Sequence, residues 1–159
     1  MFSLARSSGF AVYQLLLPAL ALGVAGGVGL FTFYYARGAS YLSDDPQACR
    51  NCHVMNSVYE SWLKGGHQHA ATCNDCHVPH DFLGKWLTKA ENGFHHSFAF
   101  TFYDIAPVIR ARSRSQAVVQ QNCQRCHADA AQHATGGASG QSEALPCKSC
   151  HSGIGHNHG

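Results

Sequence analysis

The eight cysteines of this 159-residue chain fall in four pairs, and a histidine follows each pair directly. The four Cys-x-x-Cys-His motifs occupy residues 49–53, 73–77, 123–127 and 147–151. Thiols at positions i and i+3 can add to the two vinyl groups of one porphyrin, and the histidine that follows can bind its iron. We therefore predict four covalently bound haems c.

Zinc is the main alternative, because paired Cys-x-x-Cys motifs at the spacing of Cys52 and Cys73 also occur in zinc ribbons. Zinc has no need of a histidine after every pair, so the pattern favours haem. The predicted attachment sites are Cys49, Cys52, Cys73, Cys76, Cys123, Cys126, Cys147 and Cys150. The predicted iron ligands within the motifs are His53, His77, His127 and His151.

The spacing of the motifs indicates an internal repeat. Cys49 and Cys73 are 24 positions apart, and so are Cys123 and Cys147. Equal spacing within two pairs is typical of a duplicated unit, here a two-haem module.

Four six-coordinate haems need eight axial ligands, and the motifs supply at most four. The other candidates are His67, His69, His80, His95, His96, His133, His156, His158 and Met55. Any one of these histidines has an alternative role as a solvated or propionate-bound side chain, but as a set several must be ligands.

The N-terminal segment carries no charged residue between Arg6 and Arg37. As a helix it would reach about 45 Å, against about 30 Å of bilayer hydrocarbon. A cleaved secretory signal is the alternative, but the apolar run continues well beyond the length of such a signal. We therefore predict a membrane anchor helix over residues 1–37 and a tetrahaem cytochrome c domain over residues 38–159.

The rest of the chain predicts a mostly α-helical and irregular fold. Asp81 is a predicted N-cap of a helix that Gly93 would end. Short helices are expected at residues 56–64 and 115–122, and residues 134–144 have the composition of a flexible loop. Because so little aliphatic sequence remains, the haems must form the core. With 11 basic and 9 acidic residues and no basic run, the chain is not expected to bind nucleic acid.

Several local sequences together resemble a known family. The segment ASYLSDDP at 39–46 leads into Cys-x-x-Cys-His-x-Met at 49–55, and HSFAFT follows Lys89 at 96–101. The chain resembles the tetrahaem quinol dehydrogenases of the NapC/NirT family from the anchor to His156.

The resemblance implies a function and a location. It implies a single-pass protein of the bacterial inner membrane, with its haem domain in the periplasm. Such a protein oxidises menaquinol from the membrane pool and passes electrons to a periplasmic pentahaem cytochrome c nitrite reductase. The alternatives are a related quinol dehydrogenase that serves other periplasmic reductases, and an electron-storage cytochrome that is only tethered to the bilayer.

The resemblance also implies roles for particular residues outside the motifs. Met55 takes the position of a ligand of haem 1, His67 that of haem 4 and His156 that of haem 3. Lys89 matches a family lysine that lines the quinol pocket.

Relatives carry an acidic residue a few positions after this lysine, where this chain has Asn92. We therefore expect Lys89, Glu91, His95 and His96 to form the quinol site. His96 is alternatively a ligand of haem 1 or haem 2.

Overall fold

In the computed structural model of the chain, the described residues are 5–103, 109–134 and 146–156. These residues form α-helices and short 3₁₀ turns and contain no strand. The mostly helical fold that the sequence predicts is therefore confirmed.

The first helix, α1 (Ala5–Tyr35), contains the apolar N-terminal segment. Its stretch Val12–Tyr35 has a mean hydropathy of 2.0 and is long enough to cross a membrane. Pro18 lies inside the helix, as membrane helices tolerate. The side chains of Val12–Tyr35 are exposed, which suits an apolar helix surrounded by lipid.

The chain forms two compact units, Met1–Ala39 and Ser40–Gly159. The helices of the second unit are α2 (Pro46–Cys49), α3 (Asn56–Leu63), α4 (Cys73–His77), α5 (Phe82–Phe102), α6 (Ser113–Cys126) and α7 (Ala128–Ala134). The 3₁₀ turns of the chain are Gly38–Leu42, His53–Met55 and Cys147–Ser149.

Side-chain caps lie at the start of three of these helices, α2, α4 and α5. The Asp81 carboxylate accepts a hydrogen bond from the Gly84 amide at 2.7 Å, which confirms the predicted start of α5. Asp45 caps α2, and Thr72 and Asp75 form a capping box at the start of α4. Each cap satisfies amide groups that the first helical turn cannot pair internally.

The predicted end of α5 at Gly93 is wrong, because the helix continues to Phe102. A glycine inside a helix costs about 1 kcal/mol relative to alanine, which a favourable neighbourhood outweighs. Here a Cβ on Gly93 would lie 3.5 Å from the Tyr41 ring, an ordinary van der Waals distance, so Tyr41 packs against the helix at this point. Beyond it, Phe94, Phe98 and Phe102 stack one turn apart along the helix.

The other two predicted helices are confirmed, with small shifts at their ends. The first is α3, and α6 extends beyond the predicted range at both ends. The predicted loop at 134–144 begins at the last residue of α7, and residues 135–144 lie outside the described part of the chain.

The second unit has almost no apolar core. Among the described residues, Val78 is the buried hydrophobic side chain, and the other buried residues are Thr88, Lys89 and Asn122. Val78 follows α4, and α4 packs against α6. A helical unit with so little buried apolar surface needs another source of stability, which haems in its interior would supply.

Candidate functional site

The four cysteine motifs lie at short helical turns. The second motif is α4, the third lies at the end of α6, the first begins at the last residue of α2, and the fourth begins with the 3₁₀ turn Cys147–Ser149. A helical turn brings residues i and i+3 to the same side, so two thiols can reach one ligand. None of the eight cysteines forms a disulfide.

Successive motifs contact one another, because α2 contacts α4, α4 packs against α6, and α6 contacts the 3₁₀ turn Cys147–Ser149. The Cys49 and Cys73 thiols lie close enough to interact, and so do those of Cys123 and Cys147. Within the described ranges, no group of three or more His, Cys, Asp or Glu is placed to hold a metal ion.

Two candidate axial histidines each face a motif histidine. The ring centres of His67 and His127 are 6.1 Å apart, and those of His77 and His156 are 6.0 Å apart. A metal–imidazole nitrogen bond is about 2 Å, and the ring centre lies about 1 Å behind the nitrogen. Two imidazoles on opposite sides of one ion therefore have centres about 6 Å apart. Both pairs have the separation that one iron between two rings requires.

These pairs differ from the expected ones. His67 lies beside the third motif rather than the fourth, and His156 lies beside the second rather than the third. The Nδ1 atom of His67 is 3.2 Å from the Ile154 carbonyl oxygen. That contact holds the ring with Nε2 as the nitrogen available to a metal, as outer hydrogen bonds do in metal sites. The separations in sequence are too long for local patterns to have predicted either pair.

The remaining histidine candidates have different surroundings. His80 lies between the Arg125 guanidinium at 2.7 Å and the Asp75 carbonyl oxygen at 3.2 Å. His69 is exposed beside Gln68. The His133 side chain and all of His158 lie outside the described residues.

The first and fourth motifs have no facing histidine in the described part of the chain. His53 and Met55 share the 3₁₀ turn that follows Cys52, and their roles stay predictions. His151 lines a cavity of about 270 Å³ between α6 and the fourth motif, together with Cys123 and Cys147. The cavity could therefore hold part of a flat ligand beside the fourth motif.

The predicted quinol-site residues lie on α5, and Lys89 is the most constrained of them. Its side chain is only 6% exposed. The ammonium group lies 2.7 Å from Asp44 Oδ1 and donates to the Ser43 carbonyl oxygen at 2.8 Å. It is also 5.5 Å from the centre of the Trp86 ring, within the range of a cation–π contact.

His96 lies two turns further along α5 and contacts Tyr41. The Tyr41 hydroxyl is 2.9 Å from His96 Nδ1. Desolvation lowers the pKa of His96, and the charges of Arg112 and His95 lower it further. Desolvation also raises the pKa of Tyr41 to about 12, with smaller contributions from Cys52 and Cys49. Tyr41 therefore stays a neutral hydroxyl beside both His96 and the first motif.

Glu91 and His95 occupy a different environment on the same helix. The Glu91 carboxylate is held by Arg112 at 3.1 Å and by Arg114 at 3.0 Å, and His95 is 4.0 Å away. These ion pairs join α5 to the start of α6. The Glu91 carboxylate thus forms ion pairs with two arginines, whereas the His95 side chain is half-exposed.

Three residues to which the sequence patterns assigned no role, Asp44, Tyr41 and Asn122, lie at junctions in the structure. Asp44 contacts Lys85 and Lys89, and Asn122 donates to the carbonyl oxygens of Cys76 and Val78, both at 3.0 Å. The helical spacing of Lys85 and Lys89 puts two positive charges on one face of α5, and this pattern could have predicted an acidic partner such as Asp44.

Comparison with known proteins identifies relatives for nearly the whole chain. The model of the NapC/NirT cytochrome c family, N-terminal region, matches residues 11–159. The chain is 34% identical over 161 residues to the cytochrome c-type protein NrfH of Wolinella succinogenes, covering 95% of this chain and 89% of that protein. It is 33% identical over 120 residues to the cytochrome c nitrite reductase subunit NrfH of Nitratidesulfovibrio vulgaris, covering 76% and 71%.

A solved structure is also similar. It is a crystal structure of the cytochrome c nitrite reductase NrfHA complex bound to the HQNO inhibitor. The TM-score is 0.60 at 30% sequence identity, and the match covers 87% of each chain.

Proposed function

This chain belongs to the NapC/NirT cytochrome c family, and we propose its function on that basis. The proposal is that the chain oxidises a membrane quinol, menaquinol, and delivers the electrons to a periplasmic cytochrome c nitrite reductase. It acts as the membrane-anchored electron-transfer subunit of that complex and has no nitrite-reducing site of its own. The similarity to two NrfH proteins and to the NrfHA complex supports this partner.

The chain is a cytochrome c, and we propose that it holds four haems through its eight cysteines. His127 and His67 would ligate one iron, and His77 and His156 another, because each pair has the required ring separation. His151 would serve the haem of the fourth motif. The bound haems would supply one-electron redox chemistry, so the two electrons of a quinol would leave one at a time.

Met55 is the proposed ligand of the first haem, and His53, which shares its 3₁₀ turn, is the alternative ligand. They follow Cys52 directly in one 3₁₀ turn, so both are close in sequence to the attachment site. A thioether is a common axial ligand in cytochromes c and favours the reduced iron.

The quinol site is proposed beside the first motif, on the face of α5 that carries Lys89 and His96. Lysine offers an ammonium that can stabilise a quinol oxygen as its proton leaves. With Nδ1–H of His96 donating to the Tyr41 hydroxyl oxygen, Nε2 carries the free lone pair, and a proton from quinol would go there. The depressed pKa keeps the His96 ring neutral near pH 7, and a neutral ring can accept that proton. His95 and Glu91 are the proposed acceptors of the proton after His96.

The membrane position follows from α1. We propose a single pass through the inner membrane with the haem unit on the periplasmic side, because covalent haem attachment of this kind takes place after export. A quinol that stays in the bilayer then meets the chain near the end of the anchor, close in sequence to Tyr41 and to the first motif.

One observation carries the quinol site. Lys89 and His96 lie on the α5 face that contacts residues 41–44, directly before the first motif. The test is Lys89→Ala in the full chain, reconstituted in liposomes with its nitrite reductase. Quinol oxidation should fall by about tenfold or more, as loss of one transition-state donor does.

The reduction of the variant by dithionite should remain unchanged, because dithionite donates to exposed haem edges. Lys64→Ala is the matched control, since Lys64 is an exposed lysine just after α3. A normal quinol rate in Lys89→Ala would contradict the site. Absence of quinol oxidation in the unaltered chain would contradict the function itself.

A further inference from the structure

Asp44 lies where two lysines of α5 converge. Its Oδ2 atom is 2.5 Å from Lys85 Nζ, and its Oδ1 atom is 2.7 Å from Lys89 Nζ. The Asn74 side-chain amide donates to Oδ1 as well, at 2.8 Å. Lys85 and Lys89 are one helical turn apart, so a single carboxylate reaches both. Three donors from two segments therefore hold the Asp44 carboxylate in one orientation.

The lysine that Asp44 holds is the buried one. Lys89 is 6% exposed at its side chain, whereas Lys85 is 33% exposed. An ammonium has three donors. In Lys89 they are directed to Asp44, to the Ser43 carbonyl oxygen at 2.8 Å and to the Leu42 carbonyl oxygen at 3.5 Å. The contact with Leu42 is the longest, so it is the one that an incoming oxygen atom most easily replaces.

We propose that Asp44 is a positioning residue of the quinol site: its carboxylate fixes the Lys89 ammonium so that the donor now weakly bound to Leu42 meets a quinol oxygen. This inference rests on the proposed quinol oxidation. Asp44 acts through Lys89 and does not itself take the proton.

The charge of Asp44 fits that role. Hydrogen bonds from Lys85 and then Lys89 hold the pKa of Asp44 below its ordinary value. A carboxylate that stays ionised is a poor proton acceptor but a constant counter-charge for a buried ammonium. Asp44 also precedes Cys49 by five residues, so the ion pair holds α5 beside the segment that enters the first motif.

The test compares Asp44→Asn with Asp45→Asn in the full chain, in liposomes with its nitrite reductase and a water-soluble naphthoquinol. Asp45 is the neighbouring acidic residue, and its side chain caps α2 through the Gln47 amide at 2.8 Å. Asparagine caps a helix as well as aspartate does, so Asp45→Asn removes the same charge without losing its contact. We expect kcat to fall about tenfold in Asp44→Asn and to change little in Asp45→Asn, since a misplaced catalytic group costs rate.

Two further measurements separate positioning from a general structural role. Dithionite should reduce Asp44→Asn at the normal rate, with the full haem content. In the Lys89→Gln background, Asp44→Asn should cause no further loss, because a residue that acts through Lys89 has no effect without it. Equal losses with and without Lys89 would overturn the proposal.

The outcomes also separate this inference from the proposed function. If Lys89→Gln slows quinol oxidation and Asp44→Asn does not, the quinol site stands and the role of Asp44 is wrong. If Asp44→Asn does not mature, the same kinetics are measured on Asp44→Glu, whose extra methylene displaces the carboxylate. A loss of about threefold in kcat is expected there, and an unchanged kcat would overturn the proposal.

Discussion

Two parts of the second unit are held together by different means. Residues 41–44 are joined to α5 by ordinary side-chain contacts, namely the ion pairs of Asp44 with Lys85 and Lys89 and the hydrogen bond of Tyr41 with His96. The part around α4 and α6 has facing histidine rings about 6 Å apart and a cavity of about 270 Å³. The first region is joined by direct contacts between side chains, whereas the second has histidine rings at the separation that one iron between them would require.

The difference follows from the roles proposed for the two regions. A quinol site needs side chains that bind oxygen atoms and accept protons, so the chain must position them itself. Electron transfer needs cofactors, for which the protein supplies attachment, axial ligands and orientation. Ion pairs and a hydrogen bond hold the segment before the first motif against α5, and the ring separations that suit an iron lie at the second and third motifs.

The largest expected effect comes from removing an attachment site in the cofactor-dependent region. Cys123→Ala combined with Cys126→Ala should lose one haem, and with it the packing between His67 and His127. Intact-mass measurement should show about 2.5 kDa of added haem in the original chain and one haem less in the variant. We also expect the variant to be degraded rapidly by added protease.

A variant of the polar region provides the comparison. Lys85→Ala removes an ion pair of Asp44 but touches no motif, so it should keep the full haem mass and its protease resistance. If the double cysteine variant is as resistant to protease as Lys85→Ala, the unit does not depend on that haem for stability.

Local sequence signals predicted the local features of this fold. The apolar run predicted α1 and Asp81 predicted the start of α5, because each signal lies within one element. The end of α5 was predicted wrongly at Gly93, because the Tyr41 ring that packs there comes from more than 50 residues away in the sequence.

The candidate site is formed by contacts between residues that are far apart in the sequence. Asp44 meets Lys89 from 45 positions away, and His67 meets His127 from 60. No periodicity or spacing specifies which of several histidines faces which motif. Residue types were therefore predictable, but their partners were not.

An intermediate effect is expected from removing an axial histidine. His67→Ala should leave all haems attached but convert one of them from low spin to high spin, because its iron loses the ligand opposite His127. Absorption and electron paramagnetic resonance spectra of the oxidised protein measure this. His69→Ala is the control, since that ring is exposed beside Gln68. Unchanged spin states in His67→Ala would contradict the assigned pair.

The smallest expected effect concerns Asn122, a buried polar contact inside the cofactor-dependent region. Its side-chain amide donates to the carbonyl oxygens of Cys76 and Val78, and so ties α6 to the end of α4. Asn122→Ala leaves both carbonyl groups without that donor, which should lower the free energy of unfolding by about 2 kcal/mol. Chemical denaturation of the haem-loaded chain measures the change, with the exposed Gln121→Ala as the control. If Asn122→Ala is silent while the haems remain bound, the haems alone hold α4 against α6. The contrast with the polar region around Asp44 would then be sharper than the contacts suggest.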